Sequence, residues 1–263
     1  MHKETAPSDL FLPGVSADLV RAAYIDAPGN ELGSGKFASL ESSAALVANA
    51  FGWFLGPRQA CLPPFPEIES GEWVVHAVRL EAVFRFPWSG GRHPCLDASV
   101  LSADSLIGVE SKRFEPFRPK KDLDLSDAYQ RPVWGVEMRG YERVRDALRS
   151  EPKAFLHLDA AQLVKHAFGL RTEVHRTGSA AFGKRAHLLY LYAEPDAWPN
   201  GQPIPCEAAA RHRAEIARFA DAVAGNEVAF YACCWRDLLV LWGGAGDPAL
   251  ASHATAVRAR FRP

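Results

Sequence analysis

The sequence has few cysteines, and none of them lies in a metal-binding spacing. An odd number of cysteines without a CxxC pair argues against both a zinc site and a disulfide framework. The pattern is typical of unpaired thiols in a reducing compartment, so we expect a cytoplasmic protein. The chain of 263 residues contains five, namely Cys61, Cys95, Cys206, Cys233 and Cys234.

Long apolar runs and an excess of basic charge are also missing. The chain has no stretch of about 18 apolar residues, and its start lacks a basic region followed by an apolar one, so we expect no membrane association. Lys and Arg total 30, against 31 for Asp and Glu. A general basic surface for nucleic acid is therefore excluded, and any such contact must be local.

The hydrophobic periodicity predicts an α/β protein with a central mixed β-sheet, which contains an antiparallel hairpin and carries helices on both faces. We expect an N-terminal arm over residues 1–35, with a short helix at 17–24, and one domain over residues 36–263. Helices are predicted at 36–55, 141–150, 155–168, 206–224 and 248–260; strands at 72–86, 186–193 and 228–234; and a surface loop insertion at about 116–137.

The hairpin is predicted over residues 94–117, PCLDASVLSADSLIGVESKRFEPF. Apolar residues alternate with small or polar ones on both sides of Ala103-Asp104, as in two strands joined by a two-residue turn. This register pairs Val100 with Ile107 and Ala98 with Val109, and we expect these four side chains to face the core.

The same register places Asp97 opposite Glu110, on a face shared with Ser99, Gly108 and Lys112. Two carboxylates at cross-strand distance repel each other unless positive charge lies between them. A bound cation together with Lys112 would supply that charge. Acidic oxygen ligands beside a lysine predict a site for a hard divalent metal and an anionic phosphate.

Asp97, twelve intervening residues and then Glu110-Ser111-Lys112 resembles the signature of the PD-(D/E)XK nuclease superfamily, which has the restriction-endonuclease-like fold. The longer string GVESKRFEPF is similar to a family of bacterial restriction endonucleases. The resemblance implies that Asp97, Glu110 and the backbone carbonyl of Ser111 bind Mg²⁺, with Mn²⁺ as the alternative ion. It also implies that Lys112 either stabilises the developing charge or activates the water. The order of predicted elements from Lys36 to Leu239 agrees with that nuclease core, although Leu96 replaces the proline of the motif.

Other residues are candidates for supporting roles. The resemblance suggests Glu41, beside Ser42-Ser43, as a further acid, although a glutamate that stabilises a helix dipole explains it equally well. Glu81 is the other candidate for a third metal ligand, or it is a surface partner of Arg85. The resemblance also implies that residues of the helix following the hairpin face the phosphate; the candidates are Gln162, Lys165 and His166. Two secondary candidates lie at the end of the motif, namely Glu115 and Arg113.

These residues predict a metal-dependent endonuclease that hydrolyses DNA, with RNA not excluded as a substrate. A homodimer would be expected for double-strand cleavage. The alternative is a catalytically inactive protein of the same fold that binds nucleic acid or a partner. A phosphohydrolase with histidine ligands ranks last, because the histidines show no HxH or HxxxH pairing.

Overall fold

A five-stranded sheet forms the centre of the computed structural model, which describes residues 10–25, 27–28, 31–68, 71–88, 90–91, 93–118 and 125–263. The strands lie in chain order and are β1 (Val75–Val83), β2 (Cys95–Ser102), β3 (Ser105–Lys112), β4 (Arg185–Tyr192) and β5 (Val228–Cys234). The first three strands are antiparallel, and β3, β4 and β5 run parallel to one another. The molecule is thus α/β with an open mixed sheet.

Helices cover both faces of this sheet. One face packs in a first core cluster with α1 (Ala17–Ile25), α2 (Ser43–Phe51), α6 (Trp235–Gly243) and α7 (Pro248–Phe261). The other face packs in a second core cluster with α3 (Arg139–Ser150), α4 (Ala160–Val174) and α5 (Cys206–Val223). Side chains of β4 alternate between the two clusters, which explains why this strand is apolar throughout. No helix in the described ranges is long and apolar enough to cross a bilayer.

The predicted hairpin is confirmed. β2 and β3 are joined at Ala103-Asp104, and the pairs Val100–Ile107 and Ala98–Val109 have the predicted register. All four side chains are fully buried in the first core cluster. The predicted strands at 186–193 and 228–234 and the helices at 17–24, 206–224 and 248–260 are also confirmed within one or two residues.

The single helix predicted over residues 36–55 is wrong in extent. A short 3₁₀ turn covers Lys36–Ala38, the α-helix begins only at Ser43, and its cap is Ser42, whose hydroxyl accepts the amide of Ala45. Leu40, expected to face the core, is 75% exposed. From Ala44 to Phe51 every residue is buried, because the helix lies between the sheet and α7. Glu41 therefore precedes the helix and has no place in its first turn.

Two further boundaries differ from the predictions. The helix predicted at 155–168 begins at Ala160 and continues through Gly169 to Val174. The predicted surface loop at 116–137 is partly core, because Leu125, Tyr129 and Trp134 are buried in the second core cluster; its residues 119–124 lie outside the described residues. Aromatic residues spaced irregularly along a proline-containing segment give no periodic signal of such burial.

Candidate active site

Strands β1 and β2 both change their buried face at one point. Leu80 and its partner Ala98 pack in the first core cluster, whereas Ala82 and its partner Leu96 pack in the second. Glu81, between the two pairs, has a left-handed backbone with φ of 49°. This conformation interrupts the pleat, so the strict alternation that the sequence predicts does not hold through Glu81 and Asp97. The interruption lies where β2 meets the motif residues.

Asp97 is fixed to the strand that carries the rest of the motif. Its Oδ2 accepts a hydrogen bond of 2.6 Å from the backbone amide of Ser111, the residue between Glu110 and Lys112. Burial raises the pKa of Asp97 well above its ordinary value, and the negative charge of Glu110 adds to the rise, while Lys112 opposes it. The two carboxyl groups therefore lie close enough to interact electrostatically. The regular pairing of β2 with β3 ends at Ala98 and Val109, however, one pair before the predicted Asp97–Glu110 pair.

Glu110 lies beneath the sheet surface between two basic side chains. It is 1% exposed. Its Oε1 lies 2.5 Å from Nζ of Lys112, and its Oε2 lies 2.9 Å from Nε2 of His166 on α4. Burial acts to raise the pKa of Glu110, but Lys112 and then His166 outweigh it and hold the pKa below its ordinary range. Glu110 is therefore an anion in the free protein.

Lys112 is a cation in the same setting. Burial acts to lower its pKa, yet the charges of Glu110 and Asp97 outweigh burial and raise the pKa above its ordinary value. A general base would need the opposite shift, because only a neutral amine accepts a proton. Of the two roles left open by the sequence, the geometry favours charge stabilisation.

A cleft of about 660 Å³ opens over Asp97 and Lys112, whereas Glu110 does not line it. Cys95, Asp97 and Lys112 line it from the hairpin, and Glu81 lines it from β1. Residues before and within α2 form the opposite wall, including Ser42, Ser43 and Ala44. Two of the three motif side chains therefore reach a concave surface large enough for a phosphodiester group.

Glu115 holds the end of the motif strand in place. Its Oε2 accepts the backbone amides of Arg113 (2.8 Å) and Phe114 (2.9 Å), and its Oε1 accepts the hydroxyl of Ser43 (2.7 Å). Glu115 thus fixes the turn that follows Lys112. The guanidinium of Arg113 is 7% exposed and donates to the carbonyls of Leu40 and Phe261, so Arg113 ties the turn to the last helix.

The two acids proposed as a third ligand occupy different surroundings. Glu41 forms an ion pair of 2.5 Å with Arg118 at the edge of the cleft. Glu81 accepts the thiol of Cys95 at 3.4 Å, and burial raises its pKa. Among the described residues, no three His, Cys, Asp or Glu side chains converge on one metal position. Neither acid completes a three-ligand set with Asp97 and Glu110 in this conformation.

The three candidates on α4 do not share one exposed face. His166 is 2% exposed and contacts Glu110 from below. Lys165 lies over the ring of Tyr129, with Nζ 5.7 Å from its centroid, and both Lys165 and Gln162 are half-buried. Neither Gln162 nor Lys165 lines the cleft over Asp97 and Lys112, whereas His166 contacts Glu110 itself.

Some residues at the site carried no sequence signal. Tyr24 is buried on α1, and its hydroxyl donates to the carbonyl of Ala44 at the cleft wall; burial and then Glu81 raise its pKa. Trp235 donates its indole N–H to Oγ of Ser111 at 3.0 Å. Both are aromatic residues on apolar helix faces, where sequence alone indicates only core packing.

The donor set fits magnesium in kind. Asp97 and Glu110 offer carboxylate oxygens, which hard cations prefer. Oε2 of Glu110 is buried without a hydrogen-bond partner among the described residues, since His166 is close but not aligned for a hydrogen bond. A buried carboxylate oxygen in this state has unused capacity for a ligand. Two carboxylates and the Ser111 carbonyl are the residues that would hold the ion, with water or substrate completing its coordination.

Comparisons of the chain with protein-family models, with curated proteins and with solved structures found no match.

Proposed function

We propose that this protein is a magnesium-dependent nuclease of the PD-(D/E)XK type, with a restriction-endonuclease-like core, that hydrolyses phosphodiester bonds in DNA in the cytoplasm. One observation supports this most directly. An Asp, a Glu and a Lys with the spacing of that motif meet on one hairpin, and Asp97 and Lys112 line a cleft. The order of strands β1 to β4, with α2 before them and α4 within the crossover, agrees with the core that the resemblance implies.

Each motif residue has a role that its surroundings support. Asp97 and Glu110 hold the cation, which when bound polarises a phosphoryl oxygen and orients a water molecule. Lys112 stays protonated and stabilises the charge that develops on the phosphate. His166 supports Glu110 from the buried side, and Glu115 fixes the turn that follows Lys112.

The test is cleavage of supercoiled, linear and single-stranded DNA with magnesium, compared with the same reaction in EDTA. We expect magnesium-dependent cutting by the wild type and a loss of about 100-fold or more in Lys112→Ala. Lys184→Ala is the matched control, because Lys184 lies beside the turn of the same hairpin, where its ammonium donates to the carbonyl of Ala103. A wild type that cuts nothing, or equal effects of the two variants, would contradict the proposal. An RNA substrate in parallel separates the two nucleic acids.

A protein that binds nucleic acid or a partner without cleavage is the second candidate. It is favoured by the fact that Glu110 already forms an ion pair with Lys112 and lies 2.9 Å from Nε2 of His166, while no three-ligand cluster exists within the described part of the chain. Retarded migration of DNA that is unchanged by magnesium, with no cutting, would support it. Sedimentation of the protein with and without a DNA duplex would test for the homodimer that double-strand cleavage favours.

A further inference from the structure

The cleft over the motif continues into two neighbouring cavities. Arg118 and Glu41 line both the cleft and a cavity of about 340 Å³, and Trp198 lines that cavity together with a third one of about 470 Å³. Phe114, two residues after Lys112, lines both the cleft and the third cavity. The three cavities therefore form one groove that leads from Lys112 past Arg118 and Trp198.

Aromatic and cationic groups are stacked in the middle of this groove. The rings of Phe114 and Trp198 are stacked, with centroids 5.5 Å apart and planes at 22°. The guanidinium of Arg118 lies 4.7 Å from the centre of the Trp198 ring. Trp198 is only half-buried, so part of its ring borders the groove. An indole next to an arginine is suited to bind a base and its phosphate.

The arginine is held loosely in the free protein. Its ion pair with Glu41 is exposed, with 51% of the Arg118 side chain accessible, and exposed pairs contribute little to stability. In the two cavities beyond the cleft, the acids among the lining residues are Glu41, paired with Arg118, and Asp196, which has Arg236 at 3.3 Å. Arg260 and Arg262 line the far cavity and are exposed to solvent. Beyond the cleft, the groove therefore offers positive charge at intervals, and the two acids there, Glu41 and Asp196, are each paired with an arginine.

We propose that this groove binds a single-stranded segment of the nucleic acid, with an unpaired base stacked on Trp198 and a phosphate on Arg118. In the bound state the Arg118 guanidinium passes from Glu41 to that phosphate and uncovers the indole. An unpaired base is required, because the faces of paired bases in a duplex are already stacked. The inference rests on the proposed nuclease function, since it names the substrate that this site takes.

The test is binding of a labelled single-stranded oligonucleotide, measured by fluorescence anisotropy in EDTA so that no cleavage occurs. We expect Trp198→Ala to weaken binding about tenfold and Trp198→Phe to retain most of it, because stacking needs an aromatic ring. Arg118→Ala should weaken binding and reduce its dependence on salt. Glu41→Gln should strengthen binding roughly threefold, because it removes the carboxylate that competes for Arg118.

Trp88→Ala is the matched control. Trp88 is also half-buried and also has an arginine over its ring, with Arg131 at 4.5 Å, but it packs beside the second core cluster. Equal losses in Trp88→Ala and Trp198→Ala would overturn the proposal, as would equal weakening of single-stranded and blunt duplex DNA by Trp198→Ala.

Failure of the groove and failure of the nuclease function are distinguishable. If cleavage requires Lys112 but single-strand binding is unchanged by Trp198→Ala, only the proposed binding groove is contradicted. Binding that requires Trp198, in a protein that cuts no substrate with magnesium, contradicts the nuclease function alone.

Discussion

Lys112 and Glu110 form an ion pair of 2.5 Å within a single strand, two residues apart on β3. Side chains at this spacing point to the same face of a sheet, so the strand itself brings the two charges together. Only 2% of the Glu110 side chain and 15% of the Lys112 side chain are exposed. Each charge is therefore costly to bury without the other.

The pair should behave as a unit in unfolding experiments. We expect Glu110→Gln and Lys112→Met each to lower the free energy of unfolding by about 3 kcal/mol, because each leaves one buried charge without its partner. The double variant should lose clearly less than the sum of the two. Urea denaturation of the four proteins at pH 7.5 gives the coupling energy. Additive losses would mean that the ion pair contributes nothing of its own to stability.

Asp97 should destabilise the metal-free protein once it is ionised. Because its pKa is raised in the folded state, the unfolded chain releases this proton first as the pH rises above about 4. Stability from the protonated group is therefore present at low pH and is lost as the pH rises through the folded-state pKa. Asn at this position cannot ionise, and its amide oxygen can still accept the Ser111 amide.

We accordingly expect Asp97→Asn to raise the free energy of unfolding by about 1 kcal/mol at pH 8 in EDTA, measured by denaturant unfolding against the wild type. The difference should vanish at pH 4. The same variant should have no magnesium-dependent cleavage. If Asp97→Asn is instead less stable at pH 8, Asp97 serves as a structural partner of Lys112.

Gly169 lets α4 approach the sheet and so positions His166. A Cβ at Gly169 would lie 2.6 Å from Cγ of Pro94 and 3.2 Å from Cβ of Phe84. We expect Gly169→Ala to lower the free energy of unfolding by about 2 kcal/mol, despite the better helix propensity of alanine. Gly243→Ala is the control, because its Cβ would have no atom within 4 Å. Thermal unfolding that shows equal effects of the two would contradict this packing role.

The hairpin was predictable because its signals are local. A two-residue turn fixes the register, and the register then determines which residues oppose Ala98 and Val100. The burial of β4 was predictable for a similar reason, since parallel strands covered on both faces are apolar throughout. These predictions needed no knowledge of distant contacts.

The surroundings of the site depend on contacts that the sequence does not show. His166 lies 56 positions after Glu110, and nothing in the helix pattern distinguishes a buried histidine beneath an acid from an exposed one beside a phosphate. Glu41 was expected near a helix start, but its partner, Arg118, comes from a segment 77 residues away. The late start of α2 escaped prediction because Leu40, although apolar, is exposed.

Glu81 has a backbone conformation that costs stability. Its φ of 49° is unfavourable for a residue with a side chain, and its partly buried carboxyl has a raised pKa caused mainly by burial. Glycine adopts this conformation without strain. We therefore expect Glu81→Gly to raise the free energy of unfolding by about 1 kcal/mol, and to raise it more than Glu81→Ala, which keeps the backbone strain.

Cleavage should respond in the opposite direction. Glu81 lines the cleft with Asp97, and a strained, desolvated acid at this position is explained if it serves the metal or the water there. We expect Glu81→Gly to cut DNA more slowly at limiting magnesium, and excess magnesium to restore part of the rate. If Glu81→Gly is more stable but cleaves DNA at an unchanged rate, the only role of Glu81 is structural, at the point where β1 and β2 change their buried face. If Glu81→Gly instead lowers both stability and cleavage, the hydrogen bond between Glu81 and Cys95 contributes more to stability than the left-handed backbone costs.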